Sequence, residues 1–189
     1  MEVSDINIFN EYKKNNRKGL ELLYSRYRKY VYTIAFHYAG NKEDALDMTQ
    51  EVFIAVFKAM DSFNEQYSLL PWIKRITVNR CLNFIRDKKE SISLNETNEN
   101  GDELQNMISS GDSAEHPLVC KDTKKALEDA IQRLPDRERM AILLRHMKQM
   151  KYEEIASSMK LPQGTVKTLI HKGRKAIKEN LVQQGIWEV

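Results

Sequence analysis

Apolar residues recur at three- and four-residue steps along most of this chain, which is the period of amphipathic helices rather than of strands. Between residues 18 and 38, one face of such a helix carries Leu20, Leu23, Tyr24, Tyr27, Val31, Ile34 and Tyr38. Gly40 is placed to end this helix and Asn41 to cap the next. Pro71 suits the first turn of a third helix, which we expect to extend to about Arg86. The pattern predicts an all-α fold.

A polar segment divides the helical pattern into two blocks. Ser, Asn, Glu and Gly dominate residues 91–113, a composition that buries too little apolar surface to offset the entropy of ordering. Residues 90–115 hold seven acidic residues and no Lys or Arg. Further helices are expected at about 121–133, 136–148, 152–159 and 163–183. The sequence predicts two small helical domains, residues 1–89 and 117–189, joined by a flexible acidic linker over residues 90–116.

The C-terminal helix pair has the spacing of a helix-turn-helix. On the second of these helices, Val166, Ile170, Gly173 and Ile177 fall on one side and should pack inward. The other side is polar and basic, with Lys167, Thr168, His171, Lys172, Lys175 and Lys178. Such a face suits the major groove of DNA, although a solvated basic surface on an ordinary three-helix core has the same composition. The absence of acidic residues between positions 160 and 178 favours DNA binding.

The turn of this helix pair carries Lys160 at a position where glycine is commonest. If its backbone is left-handed, lysine there costs on the order of 1 kcal/mol relative to glycine.

Two blocks of sequence resemble parts of bacterial sigma factors. The stretches "DALDMTQEVFIAVFKAMDSF" and "PWIKRITVNRCLNFIRDKK" resemble the domain that binds core RNA polymerase and melts promoters, and "GTVKTLIHKGRKAI" resembles the C-terminal DNA-binding helix. The resemblance covers about residues 20–89 and 127–181 in the order of the family. Its short layout is similar to the extracytoplasmic-function group. It implies an alternative sigma factor that binds core polymerase, directs it to specific promoters and helps to initiate transcription.

The resemblance also implies roles for particular residues. Asp44, Asp47, Gln50 and Glu51 lie on the polar side of the second helix. Asp47, Gln50 and Glu51 match the sigma residues that dock on the beta-prime clamp of the polymerase, whose beta subunit is a further expected partner. A charge-complementary surface of this kind would favour encounter and specificity more than raw affinity.

Promoter contacts are implied on the third helix and in the loop before it. Arg75, Asn79, Asn83 and Arg86 share one polar stripe, which resembles the surface that meets the non-template strand of the minus-ten element. Asn83 stands where many relatives have Asp. The loop at residues 64–70 resembles the one that captures a flipped base, and Trp72 is expected to brace the helix by packing. The six polar residues of the last helix are expected to recognise the minus-thirty-five element, Lys175 and Lys178 mainly through phosphates.

Other functions find little support. No phosphate-binding loop, nucleophile elbow or metal-ligand cluster occurs, so we expect no enzyme activity, cofactor, metal or small-molecule substrate. Cys81 and Cys120 lack a CxxC spacing, and no signal peptide or membrane span is evident, so we expect a cytoplasmic protein. The alternative function is a stand-alone helix-turn-helix regulator with an N-terminal dimerisation or sensing domain. Anti-sigma inhibitors are common partners in the resembled family, but nothing in the sequence identifies one.

Overall fold

The computed structural model describes residues 4–95 and 118–187, and every regular element within these ranges is helical. The α-helices are α1 (Asp5–Lys14), α2 (Asn16–Ala39), α3 (Lys42–Ala59), α4 (Leu69–Asn95), α5 (Leu118–Gln132), α6 (Asp136–His146), α7 (Tyr152–Met159) and α8 (Gln163–Gln183). The chain forms two compact helical units. The predicted all-α fold with two domains is therefore confirmed.

The junction between α2 and α3 forms as the sequence predicts. Gly40 adopts a left-handed backbone with a φ of 79°, and its N–H donates to the carbonyl of Phe36 at 2.9 Å. The side chain of Asn41 accepts a hydrogen bond from the Asp44 N–H at 2.9 Å and donates one to the Asp44 carboxylate at 2.8 Å. Asp44 is consequently buried at the start of α3. The expectation that Asp44 lies with Asp47, Gln50 and Glu51 on the polar side of this helix is wrong, because the hydrogen bonds with Asn41 hold its side chain inward.

The core of the first unit forms between α1, α2, α3 and the start of α4. Its buried residues include Ile8, Leu23, Val31, Val52, Val56, Leu69 and Ile73. Helix α1 was not among the predicted elements, and it packs closely against α2. A Cβ on Gly19 would lie 2.4 Å from the Cα of Tyr12, so the two backbones can meet only because residue 19 has no side chain.

Helix α4 and the segment before it differ from the prediction in their bounds. After a short 3₁₀ turn at Met60–Ser62, α4 begins at Leu69, so the predicted loop at residues 64–70 ends at Ser68. The helix continues to Asn95, well past Arg86 and into the predicted linker. The rest of that linker, from residue 96 onward, lies outside the described residues.

The C-terminal helices α5 to α8 include the predicted helix-turn-helix. Helices α7 and α8 have the predicted bounds, and α8 packs against α5 and α6. A Cβ on Gly173 would lie 2.8 Å from Cγ1 of Ile142, so the glycine allows α8 to approach α6 closely. In the turn, Lys160 has a φ of 53°, which confirms a left-handed backbone at this lysine.

Candidate functional site

The polar face of α8 is exposed as predicted. Val166, Ile170 and Gly173 are buried on the inner side, and Ile177 is half-buried. The outer side exposes all six predicted DNA-binding residues, Lys167, Thr168, His171, Lys172, Lys175 and Lys178. This arrangement presents a continuous basic surface along one helix.

Two of these six side chains also make contacts within α8. The Thr168 hydroxyl donates to the carbonyl of Gly164 at 3.0 Å, which leaves its oxygen lone pairs able to accept. The Lys175 ammonium lies 3.7 Å from the Glu179 carboxylate, and both side chains are exposed. An exposed pair of this kind contributes little to stability and can yield to a phosphate.

A contact that the sequence did not predict ties α8 to the end of α6. Nε of Arg174 donates to Nε2 of His146 at 3.2 Å. Partial burial lowers the pKa of His146 below its ordinary value, and the positive charges of Arg174 and Arg145 lower it further. The imidazole is therefore held neutral and able to accept this hydrogen bond.

The predicted polymerase-binding residues lie together on the outer face of α3. Asp47, Gln50 and Glu51 are all exposed. Two large apolar side chains share this face at four-residue spacing from Gln50, with Leu46 44% exposed and Ile54 52% exposed. We call these five residues the α3 surface. The sequence analysis missed its two apolar members, although their spacing from Gln50 could have revealed them.

The polar stripe of α4 is only partly free for contacts. Arg75, Asn83 and Arg86 are exposed, whereas Asn79 is half-buried and its amide donates to the carbonyl of Arg75 at 2.7 Å. The Arg86 guanidinium contacts the Asp87 carboxylate at 3.1 Å and 3.2 Å. The structure thus brings all four predicted residues to one side of the helix, with Asn79 the least accessible.

Aromatic side chains support the loop before α4. The rings of Phe9 and Phe63 stack with centroids 5.3 Å apart, and Trp72 packs against Phe63 at 4.6 Å. Trp72 is half-buried in this contact, in keeping with the predicted bracing role. Tyr67, in contrast, is 68% exposed.

Other chemistry is not evident in the described residues. Residues 4–95 and 118–187 contain no group of three or more His, Cys, Asp or Glu side chains that could hold a metal ion. Burial raises the pKa of the Cys81 thiol to about 12, so this cysteine is an inert part of the core. Among the described helices, none has the length and apolarity needed to cross a bilayer.

A helix-turn-helix with an exposed basic face on α8, in an all-helical chain of two units, is typical of a DNA-binding protein. Comparison with protein families shows to which family of DNA-binding proteins the chain is similar. Sigma-70 region 2 matches residues 23–91, and Sigma-70 region 4 matches residues 124–177. The two matches occur in the order that the sequence analysis predicted.

Curated relatives match along nearly the whole chain. The ECF RNA polymerase sigma-E factor of Haemophilus influenzae is 30% identical over 187 residues, which cover 96% of this chain and 97% of its own. The ECF RNA polymerase sigma-E factor of Escherichia coli K12 is also 30% identical, over 189 residues, which cover 96% of each chain. The ECF sigma factor SigW of Bacillus subtilis is 28% identical over 172 residues, covering 89% of this chain and 92% of its own. The chain belongs to the ECF RNA polymerase sigma factors. It is an alternative sigma factor that directs RNA polymerase to promoters.

Solved structures agree on the fold. The sigma factor RpoE of Bartonella quintana, in complex with the anti-sigma factor NepR, has a TM-score of 0.67 at 18% identity, covering 87% of this chain and 97% of its own. CnrH, in complex with the cytosolic domain of CnrY, has a TM-score of 0.63 at 16% identity, with 96% and 98% covered.

Proposed function

We propose that this sigma factor uses three separate surfaces: the α3 surface for core polymerase, the α4 stripe with its preceding loop for the minus-ten element, and the outer face of α8 for the minus-thirty-five element. The observation that carries the proposal is the exposure of these predicted side chains, apart from the half-buried Asn79, on helices whose opposite sides are buried. A side chain kept at the surface on a rigid helix is available to a partner without rearrangement of the core.

The α3 surface fits the beta-prime clamp through both charge and apolar area. Asp47 and Glu51 supply negative charge, which would steer encounter with a basic partner surface. Leu46 and Ile54 supply apolar area, which a partner can desolvate more favourably than charged groups. The polar residues then set orientation, and the two apolar residues contribute most of the affinity.

The α4 stripe and its loop suit melted rather than duplex DNA. Arg75 and Arg86 provide positive charge for a single strand, and Asn83 offers both a donor and an acceptor. Exposed Tyr67 provides an aromatic face on which an unpaired base can stack. Asn79 contributes less, because its amide is already bonded within the helix.

The outer face of α8 divides into two kinds of contact. Lys167, Thr168, His171 and Lys172 read base edges in the major groove, while Lys175 and Lys178 contact phosphates farther along the helix. Arg174 of α8 donates a hydrogen bond to His146 at the end of α6, so α6 supports the orientation of α8.

We further propose that the protein acts in the cytoplasm, makes and breaks no covalent bond itself, and is subject to an anti-sigma factor. The support for the inhibitor is that the sigma factor RpoE of Bartonella quintana, which shares this fold, was solved in complex with the anti-sigma factor NepR. The exposed Leu46 and Ile54 offer such an inhibitor the same surface that core polymerase needs.

Binding to core polymerase tests the α3 surface. The double change Gln50→Ala with Glu51→Lys should reduce copurification with bacterial core polymerase by tenfold or more, at about 1.4 kcal/mol for each factor of ten. Glu21→Lys is the matched control, because it reverses an exposed charge on α2, outside the α3 surface. Both variants should keep the helical circular-dichroism spectrum of the wild type. Equal core binding by the double variant and the control would contradict the assignment of this surface.

A further inference from the structure

The carboxylate of Asp5, near the N-terminus of the chain, is bonded to the segment that precedes α4. Oδ2 of Asp5 accepts hydrogen bonds from the Ser68 hydroxyl at 3.1 Å and from the Leu69 N–H at 3.0 Å. Leu69 is the first residue of α4, so Asp5 satisfies a backbone donor that the helix itself leaves unpaired. The cap of α4 is thus supplied by a residue 64 positions earlier in the chain.

The same carboxylate is anchored on α2. Its Oδ1 accepts a hydrogen bond from the Tyr27 hydroxyl at 2.6 Å and lies 3.5 Å from the Arg26 guanidinium. Burial raises the pKa of Tyr27 to about 12, and the bond to Asp5 adds to the effect, so the phenol remains a donor at physiological pH. Asp5 therefore joins three elements through one side chain: α1, α2 and the start of α4.

Two further contacts join α1 to the segment between α3 and α4. The Tyr12 hydroxyl donates to the Asp61 carboxylate at 2.5 Å, and the Lys13 ammonium contacts the Glu65 carboxylate at 2.5 Å. The stacked Phe9 and Phe63 rings lie between these polar contacts and Asp5 along α1. Helix α1 thus runs beside the loop and touches it at both ends and in the middle.

Helix α1 is itself held in place by its packing against α2. Gly19 lets the α1 backbone approach α2 at Tyr12. Ile8 of α1 is fully buried in the core with Leu23 of α2, whereas the surface ion pair of Glu11 with Lys18 at 2.9 Å contributes little to this docking. Helix α1 is therefore held on α2 by contacts that do not involve the loop, so it can act as a fixed support for that loop.

We propose that α1 holds the minus-ten loop, residues Phe63–Ser68, in a fixed conformation, and that Asp5 is the principal residue that positions this loop. By capping α4 and holding Ser68, Asp5 keeps the loop in one conformation before DNA arrives. Preorganisation of this kind reduces the conformational entropy lost when a base is bound. The inference rests on the proposed role of the loop in minus-ten recognition, and it adds to that role a residue that touches no DNA.

Transcription by holoenzyme tests this role. Asp5→Ala should lower open-complex formation on a cognate promoter by about tenfold, because three donors lose their charged acceptor. The ratio of activity between promoters with the preferred and a substituted minus-ten base should fall toward one. The corresponding ratio for minus-thirty-five variants should not change, since α8 is untouched. Asp5→Asn keeps one acceptor oxygen and should recover most of the activity.

Glu11→Ala is the matched control. It removes a carboxylate from the same helix without touching the loop, and it should leave both promoter ratios at their wild-type values. Ser68→Ala is the second variant if Asp5→Ala folds poorly, because it removes one of the same hydrogen bonds from the loop side and should also lower the minus-ten ratio. In hydrogen exchange on the free full-length protein, the Leu69 amide should exchange faster in Asp5→Ala than in Glu11→Ala.

The outcomes distinguish failure of the proposed sigma-factor function from failure of the proposed role of α1 and Asp5. If wild-type protein and core polymerase give no promoter-specific transcript, the proposed function fails and the role of Asp5 fails with it. If the wild type is active but the folded Asp5 or Ser68 variants keep the wild-type minus-ten ratio, only the inference about α1 is overturned. Equal exchange of the Leu69 amide in Asp5→Ala and Glu11→Ala would also overturn it.

Discussion

Arg174 of α8 donates a hydrogen bond to the neutral imidazole of His146 at the end of α6, across 3.2 Å. This pair couples the orientation of the proposed DNA-reading helix to a histidine whose pKa is held below its ordinary value, first by partial burial and then by the charges of Arg174 and Arg145. Once protonated, the imidazole can no longer accept the bond and faces two guanidinium groups, those of Arg174 and Arg145.

The first prediction concerns this titration. Because the fold lowers the pKa of His146, the stabilising contribution is complete above the ordinary histidine pKa of about 6.5 and is lost as pH falls from there through the folded pKa. Arg174→Gln removes one positive charge and should shift the titration midpoint of His146 upward, as measured by NMR. An unchanged midpoint would show that Arg174 does not act on this imidazole.

The second prediction uses the left-handed turn of the helix-turn-helix. Lys160 has a φ of 53°, a backbone conformation that glycine adopts without steric cost. Lys160→Gly should raise the free energy of unfolding of the protein by up to about 1 kcal/mol, after allowance for the extra freedom of glycine in the unfolded chain. Chemical denaturation measures the change. A loss of stability would mean that the lysine side chain makes a compensating contact.

The third prediction contrasts two glycines. Gly19→Ala would place a methyl group 2.4 Å from the Tyr12 backbone, and this overpacking should destabilise the first unit by about 1–3 kcal/mol. Gly164→Ala is the matched change, because a Cβ there meets nothing within 4 Å and alanine favours the helix by up to about 1 kcal/mol. Thermal unfolding should therefore shift in opposite directions for the two variants. Similar shifts would rule out close packing of α1 on α2.

The fourth prediction separates base contacts from phosphate contacts on α8. Thr168→Ala and Lys172→Ala should change the rank order of minus-thirty-five variants, since a base-reading contact is worth about 1–3 kcal/mol of discrimination. Lys178→Ala should lower transcription from all variants alike and reduce its salt dependence, as the loss of one phosphate contact does. Holoenzyme transcription on a set of promoter variants distinguishes the two. If Thr168 and Lys172 substitutions scale every variant by one factor, this face does not read sequence.

Local signals in the sequence were sufficient for the bounds of α7 and α8, whereas α5 begins three residues earlier and α6 ends two residues earlier than predicted. The bounds of α7 and α8 agree with prediction because Pro162 and the apolar period mark them clearly. The exposed residues of α8 follow from the same period. The helical repeat alone also places Asp47, Gln50 and Glu51 on one face, since each position depends only on its neighbours along α3.

Features that depend on distant residues were not predictable in this way. Asp44 is buried because both its backbone N–H and its carboxylate are hydrogen-bonded to the side chain of Asn41, the N-cap residue of α3. Helical periodicity alone does not predict this side-chain arrangement. The Leu69 N–H at the start of α4 donates to Asp5, which lies in a helix that the sequence analysis did not identify. A single sequence gives no signal for such a contact across 64 positions.

The most direct test of the whole account is run-off transcription from genomic fragments with purified bacterial core polymerase, with and without this protein. We predict discrete promoter-specific transcripts only when the protein and core polymerase are both present, and only weak binding of the protein alone to the same duplex fragments. The Gln50→Ala, Glu51→Lys double variant should abolish those transcripts. Tight sequence-specific binding by the protein alone, together with no core-dependent transcript, would contradict the account and favour a stand-alone helix-turn-helix regulator.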